Sequence, residues 1–316
     1  MRYLFFLLST TLTAQHFPPY QQQALSGEVL RVVPASADII TWSSPLPDAI
    51  NVHLVRGPEG TILFDALRRS DQVDALKPVL DELGVPQAVL ITHAHTDHYG
   101  GLYFLRGHYP NLPIYSSVAV RREIELDEVP DAQARRALFG SRFPTQSMIE
   151  EHLPTELLED AVTVTVAGLR ILPLLMEASE SKAAVVYYLP ELEAAIVGDL
   201  VNVLTISAPT LSLATWLTQL DRLERMLPPT TTLYVGHGPS GPAKQLIDDQ
   251  RDFLVLLRDR VMAAAADEQG VSAAEKATIV RYIRLAYPHH RGAAFLGPDE
   301  LIGASIDWVA AQLTEQ

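Results

Sequence analysis

The chain has 316 residues, 48% of them apolar, enough to bury a sizeable core and too many for a largely disordered polymer. Asp and Glu outnumber Lys and Arg by 38 to 24, for a net charge of −14. That balance counts against nucleic acid, whose phosphates need cationic surface, and the absence of Cys removes both disulfides and thiolate metal ligation.

The opening MRYLFFLLSTTLTA puts Arg2 ahead of an apolar run and ends on small residues at Ala14, which reads as a short secretory signal peptide. It implies export to the periplasm or medium, although Leu12 departs from the small residue preferred near the cleavage point. Without export the chain is cytoplasmic. The segment is shorter than the roughly 20 apolar residues that span a bilayer, and no other stretch qualifies, so no membrane partner is expected. Residues 15 to 27 read as a polar, Pro-bearing connector.

Strand patterns follow at EVLRVVPA, INVHLVRG and GTILFDA, the last two joined by the turn signal PEG. Between the first two, TWSSPLPD reads as a loop that either offers Trp42 to a substrate or buries it. Val73, Leu76, Val79, Leu80 and Leu83 recur at helical spacing, with Ser70 or Asp71 as N-cap and Gly84 as stop. QAVLIT is a fully apolar strand, GGLYFLRGHYP a helix and PIYSS the next strand, with helical patterns over residues 120 to 155. Strands resume in AVTVTVAGLRILPL, turning at Ala167-Gly168, then in AAVVYYLP and EAAIVGDLV. SLATWLTQLDRLERML is an amphipathic helix, and TTLYVGHGP a strand ending in a turn. The expected division is an α/β domain over residues 28 to 243 and a helical region over 244 to 316. In the latter, YPHHRG places Arg291 either at a solvated helix end or where an anionic group could be held.

The chemistry concentrates in ITHAHTDHYGG. His93, His95, Asp97 and His98 fall within six positions after an apolar strand, where α/β sheets place their sites. Imidazole nitrogen and carboxylate oxygen are the donors a divalent cation takes, and four of them so close in sequence suit two neighbouring ions better than one. Gly100 and Gly101 allow a sharp bend beside them.

H-A-H-T-D-H resembles the H-x-H-x-D-H signature of the metallo-β-lactamase superfamily, and further matching elements run in order over residues 28 to 240. The resemblance implies a four-layer αββα sandwich with one or two metals at one sheet edge. It implies that Asp65 in ILFDA orients ligands, that Asp199 in AAIVGDL bridges two metals, and that His237 in LYVGHGP binds the second. The third histidine usual in that family is missing: LLMEASESKAAVVYYLP offers Glu180, or Glu177 three residues away, in its place. The implied division is His93, His95 and Glu180 on one ion, Asp97, His98 and His237 on the other, and Asp199 between them. Zinc is the expected metal, and carboxylate in place of imidazole makes the first site harder, which shifts preference toward manganese or iron as rivals.

Such a centre implies hydrolysis by an activated water, with Asp97 also holding or accepting a proton and Tyr99 lining the cavity. A small-molecule ester, lactone, thioester or amide, the β-lactam type included, is the expected substrate. The rival readings are a catalytically inactive or mononuclear metal-binding member of the same fold, and an iron-dependent oxidoreductase. Oligomeric state is not legible.

Overall fold

A computed structural model describes residues 30–32, 39–44, 50–126, 131–265, 270–293 and 296–314. The signal peptide and connector expected over residues 1 to 27 lie outside the described residues. Strands β1 (Leu30–Val32), β2 (Ile39–Ser43), β3 (Asn51–Gly57), β4 (Gly60–Phe64), β5 (Pro86–Leu90), β6 (Ile114–Ser117) and β7 (Glu156–Leu158) make one sheet in that spatial order. Neighbours from β1 to β4 are antiparallel, and those from β4 to β7 are parallel. The second sheet holds β8 (Val164–Val166), β9 (Leu169–Glu177), β10 (Ala183–Leu189), β11 (Ala194–Gly198), β12 (Thr232–Val235) and β13 (Gly241–Pro242), also in order. Only its β11–β12 pair is parallel, crossed over by the helix Leu213–Met226.

Unbroken apolar strands such as AAVVYYL follow from burial on both faces. Along β10, Val185, Tyr187 and Leu189 share a core with the first sheet, whereas Ala184 and Val186 join a second core with the helices behind. β11 alternates likewise, Ile196 inward and Val197 outward. Val73, Leu76 and Leu80 of the helix Ser70–Leu83 pack with the first sheet. The helix Ala243–Ala264 lays Leu246, Ile247, Phe253, Leu254, Leu257 and Val261 in the second core, which Ile279, Ile283, Ile302 and Ile306 of the following helices also enter. Two back-to-back sheets between helical layers are therefore present, and the C-terminal helices share the core of the second sheet. No helix among the described residues is long and apolar enough to cross a membrane.

Two local expectations are corrected, and one strand falls where none was expected. Thr41 and Trp42 lie on β2, and Trp42 is buried in the core between the sheets rather than offered by a loop. β7 lies in a segment whose sequence carries no strand pattern. Arg69 rather than Ser70 or Asp71 caps the first helix, because the Gln72 side-chain Oε1 reaches back to accept from the backbone N–H of both Arg68 and Arg69.

The two sheets are tied where β5 ends. Val185 N–H donates to Thr92 O at 2.7 Å, Tyr187 OH donates to Ile91 O at 2.7 Å, and His93 bridges to Ala184. Just beyond, the turn carrying the histidine cluster docks on the end of β4: Ala66 N–H donates to His98 O and Gly101 N–H to Leu67 O. Gly101 has no alternative there, since a Cβ would stand 1.9 Å from Ala66 O. Gly101→Ala is expected to destabilise the fold by about 1–3 kcal/mol, the usual range for overpacking, read as a lower urea midpoint at unchanged slope. A variant as stable as the parent would show that this docking is loose.

Candidate metal centre

His93 and His95 leave β5 in extended backbone and the helix Thr96–Tyr99 follows at once, so Asp97 and His98 project from a new direction. Asp199 follows the end of β11, His237 the end of β12, and Glu180 sits in the turn between β9 and β10. All these ends meet at one edge of the sandwich. His93, His95, Glu180 and Asp199 form one group able to hold a cation, and Asp97, His98 and His237 a second. Asp199 Oδ2 stands 3.9 Å from His93 Nε2, 3.5 Å from His98 Nε2 and 3.3 Å from His237 Nε2, so it faces both groups. Glu180 reaches His95 Nδ1 at 3.1 Å and His93 Nε2 at 3.6 Å. Gly236 makes room for this meeting, because a Cβ there would stand 2.1 Å from Asp199 Oδ1.

Orientation is built in behind the donors. Asp65 Oδ2 accepts from His98 Nδ1 at 2.8 Å, while Asp65 Oδ1 accepts from the Thr92 N–H at 2.8 Å. The Thr92 hydroxyl donates to Asp65 and lies 3.0 Å from His93 Nδ1, from which it can accept. Both rings are thereby held with Nε2 turned toward the cluster, the arrangement that metal-binding imidazoles need. Asn51 cradles the His237 turn: its N–H donates to Gly236 O, and its amide to Val235 O at 3.0 Å and Gly238 O at 2.7 Å. His53 Nε2 adds a contact to Val235 O.

A test of fit lies in what remains unsatisfied. His93 Nε2, His98 Nε2, Glu180 Oε2 and Asp199 Oδ1 are buried with no hydrogen-bond partner. Buried polar atoms are rarely left so. Four in one cluster, all of types that ligate divalent cations, fit a metal centre.

Electrostatics agree. Burial disfavours charge on His95, His98 and His237, yet the facing carboxylates win. Glu180 holds His95 up at about 9, Asp199 and Asp65 hold His98 well above its ordinary value, and Asp199 and Asp97 hold His237 up at about 10. Burial would raise Asp97 and Asp199, but Arg68 chiefly holds the first well below the carboxylate range, and His237 with His98 the second. Burial pushes Glu180 up, against the pull of His95. His93, screened by burial and beside two other histidines, is pushed well below its ordinary value, and burial lowers His53 to about 4. Stripped of metal, the site therefore keeps protons that a cation would displace.

The sign of the pH dependence follows. Raised histidines contribute stability that is full below about pH 6.5 and is lost as pH climbs through about 9 to 10. His53 acts oppositely: as pH falls from 6.5 toward 4 the unfolded chain takes a proton that the folded one refuses. The chelated protein is expected to melt highest near about pH 6.5 and lower on either side, as thermal melts in EDTA would show. A flat profile from neutral to about pH 9.5 would contradict the assignment.

The structure brings together His93, His95, Asp97, His98, Glu180, Asp199 and His237, as the sequence suggested. Glu177 ends β9 exposed and joins neither group, whereas Glu180 lies in the first. Tyr99, expected at the cavity, is instead buried in the core between the sheets and is in neither donor group. Two residues past Asp97 on a helix it points about 200° away from it. Arg291 is exposed, and its main chain pairs with Leu204 and Ile206, in the loop after Asp199. Sequence reasoning missed Arg68, 3.1 Å from Asp97, and the cradle of Asn51 and His53. Two polar residues at alternate positions of the apolar strand INVHLV were the available signal for that cradle.

Comparison with known proteins agrees with this geometry. Residues 45–237 match the metallo-beta-lactamase superfamily. A hydroxyacylglutathione hydrolase of Pectobacterium carotovorum subsp. carotovorum (strain PC1) is 52% identical over 42 residues, spanning 12% of this chain and only 17% of that relative. A metallo-beta-lactamase family protein of Thermus thermophilus superposes with a TM-score of 0.63 at 21% identity, over 88% of this chain and 93% of that one. A stereoselective inverting sec-alkylsulfatase of a Pseudomonas species superposes at 0.64 and 16% identity, over 92% of this chain and 51% of that one. Identities this low speak for a shared fold. With more than half of its length matched, the chain belongs to the metallo-beta-lactamase superfamily.

Proposed function

We propose that the chain hydrolyses a small-molecule ester, lactone, thioester or amide with two divalent cations held by the paired donor groups. Asp199 carries this reading, because its carboxylate faces His93 on one side and His98 and His237 on the other. His93, His95 and Glu180 would hold one cation and Asp97, His98 and His237 the other, with Asp199 shared. Zinc is the proposed metal; the extra carboxylate of Glu180 leaves manganese or iron as competitors. Two such cations supply an acidified water as nucleophile and polarise the bond it attacks.

The chain's own groups complete the chemistry. Asp97, 13% exposed and with Oδ2 turned to His237, is placed to orient the attacking water, whereas Arg68 beside Oδ1 keeps its carboxyl too acidic to serve well as the proton acceptor. Asp65 and Thr92 keep His98 and His93 from rotating out of line. His95, on the exposed side of the cluster, marks the direction of substrate entry. Export through residues 1 to 14 belongs to this reading and rests on sequence alone.

The inactive reading fits less well, since a degenerate site has no reason to keep a largely buried carboxylate with an unsatisfied oxygen against two histidines. Names among the relatives widen the substrate panel to hydroxyacylglutathione and secondary alkyl sulfates.

Metal analysis of the purified protein is expected to find two equivalents of divalent metal per chain, and hydrolysis of at least one member of a panel of esters, lactones, thioesters, sulfate esters and β-lactams. EDTA should abolish that activity and added metal restore it. Asp199→Ala should cost more than about 100-fold in kcat/KM, beyond what loss of an outer partner costs. Glu180→Ala should lower metal content toward one equivalent. Activity that survives exhaustive chelation would overturn the proposal.

A further inference from the structure

The segment between β4 and the first helix contributes two groups of opposite charge to the cluster, and only Asp65 has a role so far. Asp65 and Leu67 both take left-handed backbone, with φ of 62° and 65°. Non-glycine residues persist there only when the surroundings hold them. The bends send the Asp65 carboxylate to His98 and the Arg68 guanidinium to Asp97, one residue earlier on the same ligand turn. The backbone of Arg68 is locked as well. Its N–H donates to Gln72 Oε1 at 3.1 Å, and its carbonyl packs so closely on Gly100 that a Cβ would stand 2.7 Å away.

The side chain of Arg68 is 2% exposed, and its Nη2 lies 3.1 Å from Asp97 Oδ1. Asp97 Oδ2 lies instead 3.5 Å from His237 Nε2. The two oxygens of one carboxylate are thus divided between a permanent cation and the second donor group. This centre carries three carboxylates, Asp97, Glu180 and Asp199, with Asp65 just behind. A guanidinium cannot lose its proton to relieve the site, and its planar fork holds a carboxylate at a fixed angle where an ammonium would not.

We propose that Arg68 is a positioning residue that commits Asp97 to the second cation through Oδ2 alone, and so makes filling of that second site depend on it. The proposal rests on the two-cation reading above. Two other roles give different results. A guanidinium acting mainly by repulsion would make the second cation bind tighter once removed. One that only fills space would affect both cations equally, through the fold.

The test is a titration of zinc into the full-length, chelator-stripped protein in competition with a chromophoric chelator, for the parent, Arg68→Lys and Arg68→Met. The parent should bind two ions. Arg68→Met should bind the first with unchanged affinity and the second about 10- to 100-fold more weakly, the usual cost of losing an outer partner, with Arg68→Lys between. Second-ion affinity that is unchanged or tighter in Arg68→Met overturns the proposal, as does parallel weakening of both ions. Should Arg68→Met fail to fold, Arg68→Lys decides by the same criterion: selective weakening of the second ion supports the proposal, and parental affinity overturns it. A parent that binds fewer than two ions sinks the two-cation reading itself, and the role of Arg68 with it.

Discussion

A single buried carboxylate, Asp199, standing within 3.9 Å of three imidazoles, is the contact around which the remaining structure is arranged. Ionised groups removed from water are costly unless each finds a counter-charge and its hydrogen bonds. Here several atoms of the clustered histidines and carboxylates are buried with no hydrogen-bond partner in the protein. Protons satisfy part of the imbalance, and bound cations would satisfy more of it. The same feature that makes the cluster expensive to fold suits it to holding metal.

No one element could assemble it. The histidine cluster comes from the first sheet, and Glu180, Asp199 and His237 from the second, so the centre exists only because the sheets are fixed in register at one edge. Val185 bonded to Thr92, and Asn51 bonded across to Gly236, do that fixing with main-chain geometry that tolerates little movement. Gly236 and Gly101 mark where backbones approach too closely for a Cβ. The unbroken apolar strands supply the burial that holds those contacts shut.

Much of this was legible before any coordinates. The His93–His98 cluster declared itself by density of donors, and Asp199 and His237 by charge or imidazole at the end of apolar strands. Helical spacing located the helices beginning near Ser70 and Ser212. The remainder lay outside what pattern can carry. Trp42 read as a loop residue because Ser and Pro follow it, whereas pairing with β3 places it in a strand. Tyr99 read as a cavity residue by adjacency in sequence, and the turn of a helix carries it to the opposite side. Arg68 gave no signal because its role depends on two left-handed residues that sequence does not reveal. Choosing between Glu180 and Glu177 needed the end of β9, which leaves one inside the cluster and the other in solvent.

The Glu180 position sets this chain's centre apart from one built with a third imidazole, and it makes the count of cations the point on which the account turns. The most direct measurement is anomalous diffraction from crystals grown with zinc or manganese. The account predicts two peaks, one against His93, His95 and Glu180, the other against Asp97, His98 and His237, both touching Asp199. A single peak, or two peaks that leave Glu180 or Asp199 without contact, would contradict it.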